Sequence, residues 1–167
     1  MDLAIFRWAN GLYDDAPAVW TFLETPEALA ILVVVALGIA WARRNLRWVL
    51  PALLAVALSD VLAARVLKPA IGRARPCAEL DGVDVPRVDG SPHCGSGLAM
   101  PSAHAANTMA VATVLAAPEL AVLSMGVGFG RVITGQHWPS DVAAGWALGI
   151  GLGMAVRAAA TRAFGWP

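Results

Sequence analysis

His137 and Asp141 stand four residues apart at the start of an apolar run. Pro139 suits the first turn of a helix, which puts Trp138 near the N-cap, His137 just before it and Asp141 in the first turn. Over that separation the carboxylate can reach the imidazole. An Asp that accepts the proton of one ring nitrogen leaves the other free and more basic, which makes an activated nucleophile or a general base. The adjoining helix start offers unpaired N–H groups to an anion. Arg131, six residues upstream, is a planar fork suited to phosphate oxygens.

Pro101-Ser102-Ala103-His104 repeats the theme. Ser102 is a good N-cap, so the N–H groups of Ala103 and His104 point outwards, where an anion can bind. His104 is a second group that titrates near neutral pH, as a general acid must. A third block, Lys68 to Arg75-Pro76, adds cations, with Arg73 as a rim charge or an extra clamp. Singly, each piece has a plainer reading: a lone Lys or Arg as an interface anchor, a lone Ser as a cap. Together they put two His, one Asp and several cations on one face. His93, Cys94, Cys77 and His104 match no compact metal-ligand spacing, and no metal or other cofactor is expected.

The elements that must position these residues are apolar. The chain of 167 residues fits one domain, 1–167. It is 58% hydrophobic and 14% charged, against about 45–50% and about 25% for soluble domains, so lipid is the expected solvent for much of its surface. Net charge is zero, which gives no support to a nucleic-acid partner. Apolar runs cover 27–42, 48–67, 102–117, 120–134 and 140–160. The expected fold is all-α: an integral membrane bundle of about five spanning helices, some short for a bilayer. Residues 1–24 mix aromatics with charges and predict interfacial helices broken near Pro17. Nothing at Met1 has the form of a cleavable signal peptide. Asp60, inside the second run, is expected to make a polar contact with a neighbouring helix. Gly145, Gly149 and Gly153 form a small-residue stripe for close helix packing.

Arg43, Arg44, Arg47, Arg157 and Arg162 fall on one side under five spans, which the positive-inside rule makes cytoplasmic. The three blocks and the polar segment 68–100 then face outwards. Cys77 and Cys94 are either two free thiols or a disulfide, and the outward location favours the bond.

Lys68 with Arg75-Pro76, then Pro101-Ser102-Ala103-His104, then Arg131, His137 and Asp141 resemble the three-part signature of the type-2 phosphatidic acid phosphatase superfamily. Order, spacing and helix context all fit. Ala103 stands where glycine is common, and Gly130 stands where serine usually precedes the arginine. The resemblance implies that His137 attacks phosphorus to form a phosphohistidine, that Asp141 orients His137, and that His104 protonates the leaving oxygen. Lys68, Arg75, Ser102, Arg131 and the N–H groups at Ala103 would hold the phosphate, with no metal. The implied partners are a lipid phosphate and the bilayer, at the outer face of a bacterial-type plasma membrane.

Length and organisation resemble bacterial undecaprenyl diphosphate phosphatases, so conversion of undecaprenyl diphosphate to undecaprenyl phosphate is the expected reaction. Lipid A 1-phosphatases and phosphatidylglycerophosphate or phosphatidic acid phosphatases share the blocks. A lipid phosphotransferase would use the same site. A non-enzymatic membrane protein would have eroded blocks, and soluble haloperoxidases with related blocks do not match the hydropathy.

Overall fold

The computed structural model describes residues 1–23, 25–44, 46–88, 90–95 and 97–165. Glu24, in the N-terminal segment above, lies outside the described residues. The N-terminal segment forms α1 (Asp2–Asn10) and α2 (Pro17–Leu23), with Pro17 opening α2. Thr25 starts α3 (Pro26–Ala42): its hydroxyl accepts the Ala28 N–H at 3.3 Å, and Pro26 occupies the first turn. A 3-10 turn (Leu46–Trp48) leads into α4 (Val49–Val61). The second apolar run is not one regular helix. A π-helical stretch (Leu62–Leu67) joins α4 to the short α5 (Lys68–Ile71).

The outer segment contains α6 (Pro76–Glu79) and a feature that an all-helical expectation lacks. Two-residue strands β1 (Arg87–Val88) and β2 (Ser91–Pro92) pair antiparallel, Arg87 opposite Pro92. Gly90, between them, has a φ of 79°, a left-handed turn conformation that glycine adopts without steric cost. Three helices complete the chain: α7 (Ala103–Leu115), α8 (Pro118–Ile133) and α9 (Pro139–Phe164).

α7 sits at the centre and packs on α4, α8 and α9. The glycine stripe of α9 makes this possible. A Cβ at Gly145 would lie 2.5 Å from the Ser102 carbonyl oxygen, and one at Gly153 would lie 2.7 Å from Thr113 Cβ; Gly149 faces the Ala106 carbonyl oxygen. Backbone therefore meets backbone along the α7–α9 seam, which brings the starts of the two helices together.

Two apolar clusters fill the interior. One joins Trp48, Ala52, Met109, Val114 and Val156. The other lies under the helix starts and joins Phe6, Tyr13, Ala105, Ile133, Trp138 and Val142. Outside, Val34, Leu50, Leu53, Val122, Met125 and Met154 are exposed, an apolar coat on α3, α4, α8 and α9. Among the described residues, two helical runs are long and apolar enough to cross a membrane: Leu46–Glu79, which contains α4 to α6, and Pro139–Phe164. The other helices are shorter.

Candidate active site

The loop between α8 and α9 is shaped by Gly135, whose φ is 70°. A Cβ there would sit 2.5 Å from Val83 Cγ1 and 2.9 Å from the Asp84 carbonyl oxygen, so both conformation and space call for glycine. Beyond it the N–H groups of Gln136 and His137 both donate to the Arg131 carbonyl oxygen at 3.1 Å. The backbone thus ties the guanidinium-bearing residue to the histidine.

Asp141 is fully buried in the first turn of α9. Its Oδ2 accepts the Trp138 N–H at 2.8 Å and faces His137 Nδ1 at 3.6 Å. At 3.6 Å the direct hydrogen bond expected from the four-residue spacing is not made, while Oδ2 caps its own helix through the Trp138 N–H. The carboxylate still stands beside Nδ1 and leaves Nε2 unengaged by it. The other oxygen, Oδ1, accepts from Arg73 Nη1 at 2.9 Å. The Asp141 carbonyl accepts the Ser102 N–H at 2.9 Å, which joins the second and third blocks directly.

His137 is buried, and its pKa is pushed down to about 4. Burial is the main cause. Asp141 opposes it, and the positive fields of Arg131, Arg75 and Lys68 add to it. The ring is therefore neutral around pH 7, as a nucleophile requires.

Three cations bear on this ring. Arg75 is buried, with Nη1 on the Gln136 carbonyl at 3.1 Å and on Gln136 Oε1 at 3.3 Å, and Nε on the Gly97 carbonyl at 3.3 Å. Every one of these partners is neutral, so the guanidinium is held in place without a bonded counter-ion, although the Asp141 charge acts on it. The Lys68 ammonium forms no hydrogen bond or ion pair among the described residues and carries its charge into the same region. Arg131 is buried on the inner side of the loop.

Ser102 is at the N-cap of α7 but does not cap it; its buried hydroxyl has no hydrogen-bond partner. The expectation of a capping serine is corrected here, and the spare hydroxyl becomes available to a ligand. Ala103 and His104 follow in the first turn, where backbone N–H groups have no partner within the helix. His104 opens onto a cavity of about 520 Å³ whose charged or titratable lining residues, among the described residues, are His104 and Arg131. The rest of the wall is mainly apolar, with Trp20 and Leu23 of α2, Leu32 of α3, and Val122 and Phe129 of α8.

Arg73 is not a rim charge. Besides Asp141, its guanidinium donates to Ser140 Oγ at 2.6 Å and to Asp2 Oδ2 at 2.6 Å, and it lies over the Trp138 ring at 4.9 Å. Asp2 also accepts the Ser140 N–H at 3.0 Å through Oδ1. Hydrogen bonds to Ser140 and Arg73 outweigh burial and hold the Asp2 carboxyl below the usual range, although burial is the largest single influence. Sequence reasoning missed Asp2 altogether, since nothing in spacing links residue 2 to residue 140. It missed Gln136 as well. That side chain is buried beside His137; Oε1 accepts the Gly95 N–H at 2.9 Å and Nε2 donates to the His93 carbonyl at 2.9 Å. Its only signal is an amide wedged between an essential glycine and a histidine. Cys77 and Cys94 are joined by a disulfide, and the Cys77 N–H donates to the Gly135 carbonyl at 3.1 Å, so the outer segment is fastened across the histidine loop.

A single end of the bundle thus holds a buried neutral histidine, a carboxylate behind it, a second histidine and three cations. Residues 48–164 match the family model described as the PAP2 superfamily. This chain belongs to that superfamily.

Its relatives agree. It is 33% identical over 130 residues to decaprenylphosphoryl-5-phosphoribose phosphatase of two Mycobacterium tuberculosis strains, covering 75% of this chain and 68% of the relative. Its fold is similar to Aquifex aeolicus LpxE, with a TM-score of 0.69 and 25% identity over 92% of this chain and 93% of that one. It is also similar to a transmembrane PAP2-type phosphatidylglycerolphosphate phosphatase from Bacillus subtilis, with a TM-score of 0.64 and 25% identity over 96% of this chain and 85% of that one. As a PAP2 phosphatase the chain is an enzyme, and its family acts on lipid phosphates.

Proposed function

We propose that this PAP2 enzyme removes a terminal phosphate from a polyprenyl-linked lipid at the outer face of a bacterial-type plasma membrane, through a phosphohistidine on His137. The observation that carries this reading is the buried, neutral His137 with Asp141 behind Nδ1 and the positive fields of Arg131, Arg75 and Lys68 converging on it. Nε2 attacks phosphorus, a nitrogen–phosphorus bond forms, and the ester P–O bond breaks as His104 gives its proton to the leaving oxygen. Water then attacks phosphorus, His104 takes the water's proton, and phosphate leaves His137. Lys68, Arg75, Arg131, the Ser102 hydroxyl and the N–H groups of Ala103 and His104 stabilise the equatorial oxygens, the charge-stabilising work that preorganised donors do best. With cations in that role, turnover needs no metal.

The apolar cavity beside His104 supports a lipid substrate, because a chain entering between α2, α3 and α8 would bring its headgroup to His104 and Arg131. The polyprenyl carrier follows the mycobacterial relative. Undecaprenyl diphosphate, the expectation from sequence, is one lipid of that carrier class. Five spans, α3, the run from α4 to α5, α7, α8 and α9, fit the apolar coat. α7 need not match the bilayer thickness, since protein surrounds it. Arginines at the opposite end and the disulfide at this one support the outward orientation.

Phosphate release by detergent-purified protein with EDTA present tests this. The panel is undecaprenyl diphosphate, a polyprenylphosphoryl phosphoribose, phosphatidylglycerophosphate, phosphatidic acid and lipid A. Release from a polyprenyl lipid, absent in His137→Ala, is expected. No release from any polyprenyl lipid overturns the assignment.

A further inference from the structure

Asp60 and Asn107 are left over from the chemistry above. Asp60 is on α4, and its Oδ1 accepts from Asn107 Nδ2 of α7 at 3.3 Å, the polar helix contact expected from sequence. Asn107 lies one turn deeper than His104 on the same helix. The Asp60 carboxylate is close enough for its charge to act on both His104 and Lys68. The π-helical stretch Leu62–Leu67 explains how one helix presents Asp60 and Lys68 together. Eight residues at 3.6 per turn would set them about 80° apart; a π turn absorbs about one residue, so the step becomes about two full turns. An intramembrane carboxylate is costly and carries function by default.

The spare atoms of this pair define what it can bind. Asn107 Oδ1 is buried with no hydrogen-bond partner, and Asp60 Oδ2 has none among the described residues. Both are acceptors. A ligand must therefore donate to them. A sugar or glycerol hydroxyl does so, whereas an ionised phosphate offers only acceptors and meets a carboxylate of its own sign.

In the mechanism proposed above His104 protonates the leaving oxygen, and Asn107 follows it by one turn on α7. We infer that Asp60 and Asn107 form a leaving-group subsite that takes a hydroxyl-bearing alcohol and disfavours a leaving phosphate. This rests on the catalytic roles proposed above. It moves the substrate from a lipid diphosphate towards a phosphomonoester on a polyol headgroup, whether ribose or glycerol.

The test compares kcat/KM for three lipids: a polyprenylphosphoryl 5-phosphoribose, phosphatidylglycerophosphate and undecaprenyl diphosphate. The wild type should favour at least one of the two hydroxylated lipids over the diphosphate by about 10- to 100-fold; which one is favoured names the polyol. Asp60→Leu should cut that ratio about tenfold or more. Asp60→Asn keeps an acceptor but loses the charge, so it should raise diphosphate turnover while retaining part of the hydroxylated activity. A wild-type preference for the diphosphate, or an Asp60→Leu ratio unchanged while phosphate is still released, overturns the subsite and leaves the phosphatase reading intact. Titration of the same lipids into His137→Asn is independent of turnover. Tighter binding of a hydroxylated lipid, lost in His137→Asn/Asp60→Leu, supports the subsite even if no lipid is hydrolysed; equal binding of all three overturns it.

Discussion

The two ends of the bundle use arginine in opposite ways. At the end away from the site, Arg43 forms a forked pair with Glu119, both bonds 2.8 Å, with both side chains about two-fifths exposed. Arg157 lies over the Trp48 ring at 4.3 Å and donates to the Val114 carbonyl. At the site end, Arg75 is buried among neutral oxygens and Lys68 has no counter-ion within bonding distance. Arg73 is neutralised there, by Asp2 and Asp141. The first end anchors. The second keeps Arg75 and Lys68 without a bonded carboxylate among the described residues, open to an anion from outside, and Arg73 holds the carboxylate behind His137.

The sharpest way to break this contrast is to remove the nucleophile. His137→Ala should lower phosphate release by on the order of 10⁴-fold or more while leaving the elution profile of the purified protein unchanged. Substantial residual turnover would detach the charge-storing end from catalysis. Next comes the cation cradle: Arg75→Ala should cost about 10²- to 10³-fold in kcat. Gln136→Leu, which removes the neutral acceptor that aims Arg75, should lose roughly tenfold or more in the same assay. A Gln136→Leu enzyme with full activity would show that Arg75 is held by backbone alone.

Acid should separate the two ends as well. The His137 pKa lies below its ordinary value, so the unfolded chain binds more protons as pH falls from 6.5 towards 4. Stability should therefore fall through that window by roughly 3 kcal/mol, and the loss should vanish in His137→Asn. Thermal unfolding at stepped pH in detergent measures it; identical pH profiles for the two proteins would contradict a buried neutral ring. The acid limb of kcat/KM should likewise fall near 4, well below 6.5.

Smallest of all is the far end. Arg43→Ala should change activity less than about twofold and stability by under about 1 kcal/mol, because an exposed pair contributes little. A large activity loss there would mean that the ends are coupled.

What could be foreseen from sequence divides along physical lines. The three blocks, the helix that starts at Pro139 and the glycine stripe could be recognised, because local spacing determines them: a Pro in a first turn, a small residue every four, a His followed by an Asp. Contacts that depend on distant chain segments were hidden. No pattern connects Asp2 to Ser140, and Arg73 resembles any helix-end arginine until Asp141 is seen to accept its hydrogen bond. The Ser102 hydroxyl and the 3.6 Å gap at His137 turn on how two helix starts meet, and so does the competition for Asp141 Oδ2. The π stretch was hidden for another reason: an apolar run carries no mark of where one extra residue will be wound in.

The most direct test of the account is to look for the covalent intermediate. Enzyme turning over a hydrolysable lipid phosphate is quenched in alkali, digested, and its peptides mapped by mass spectrometry. A phosphoryl group on His137, present in enzyme quenched during turnover and lost when the sample is acidified, is the predicted result. Phosphate found on another residue, or none on His137 while steady turnover proceeds, would contradict it.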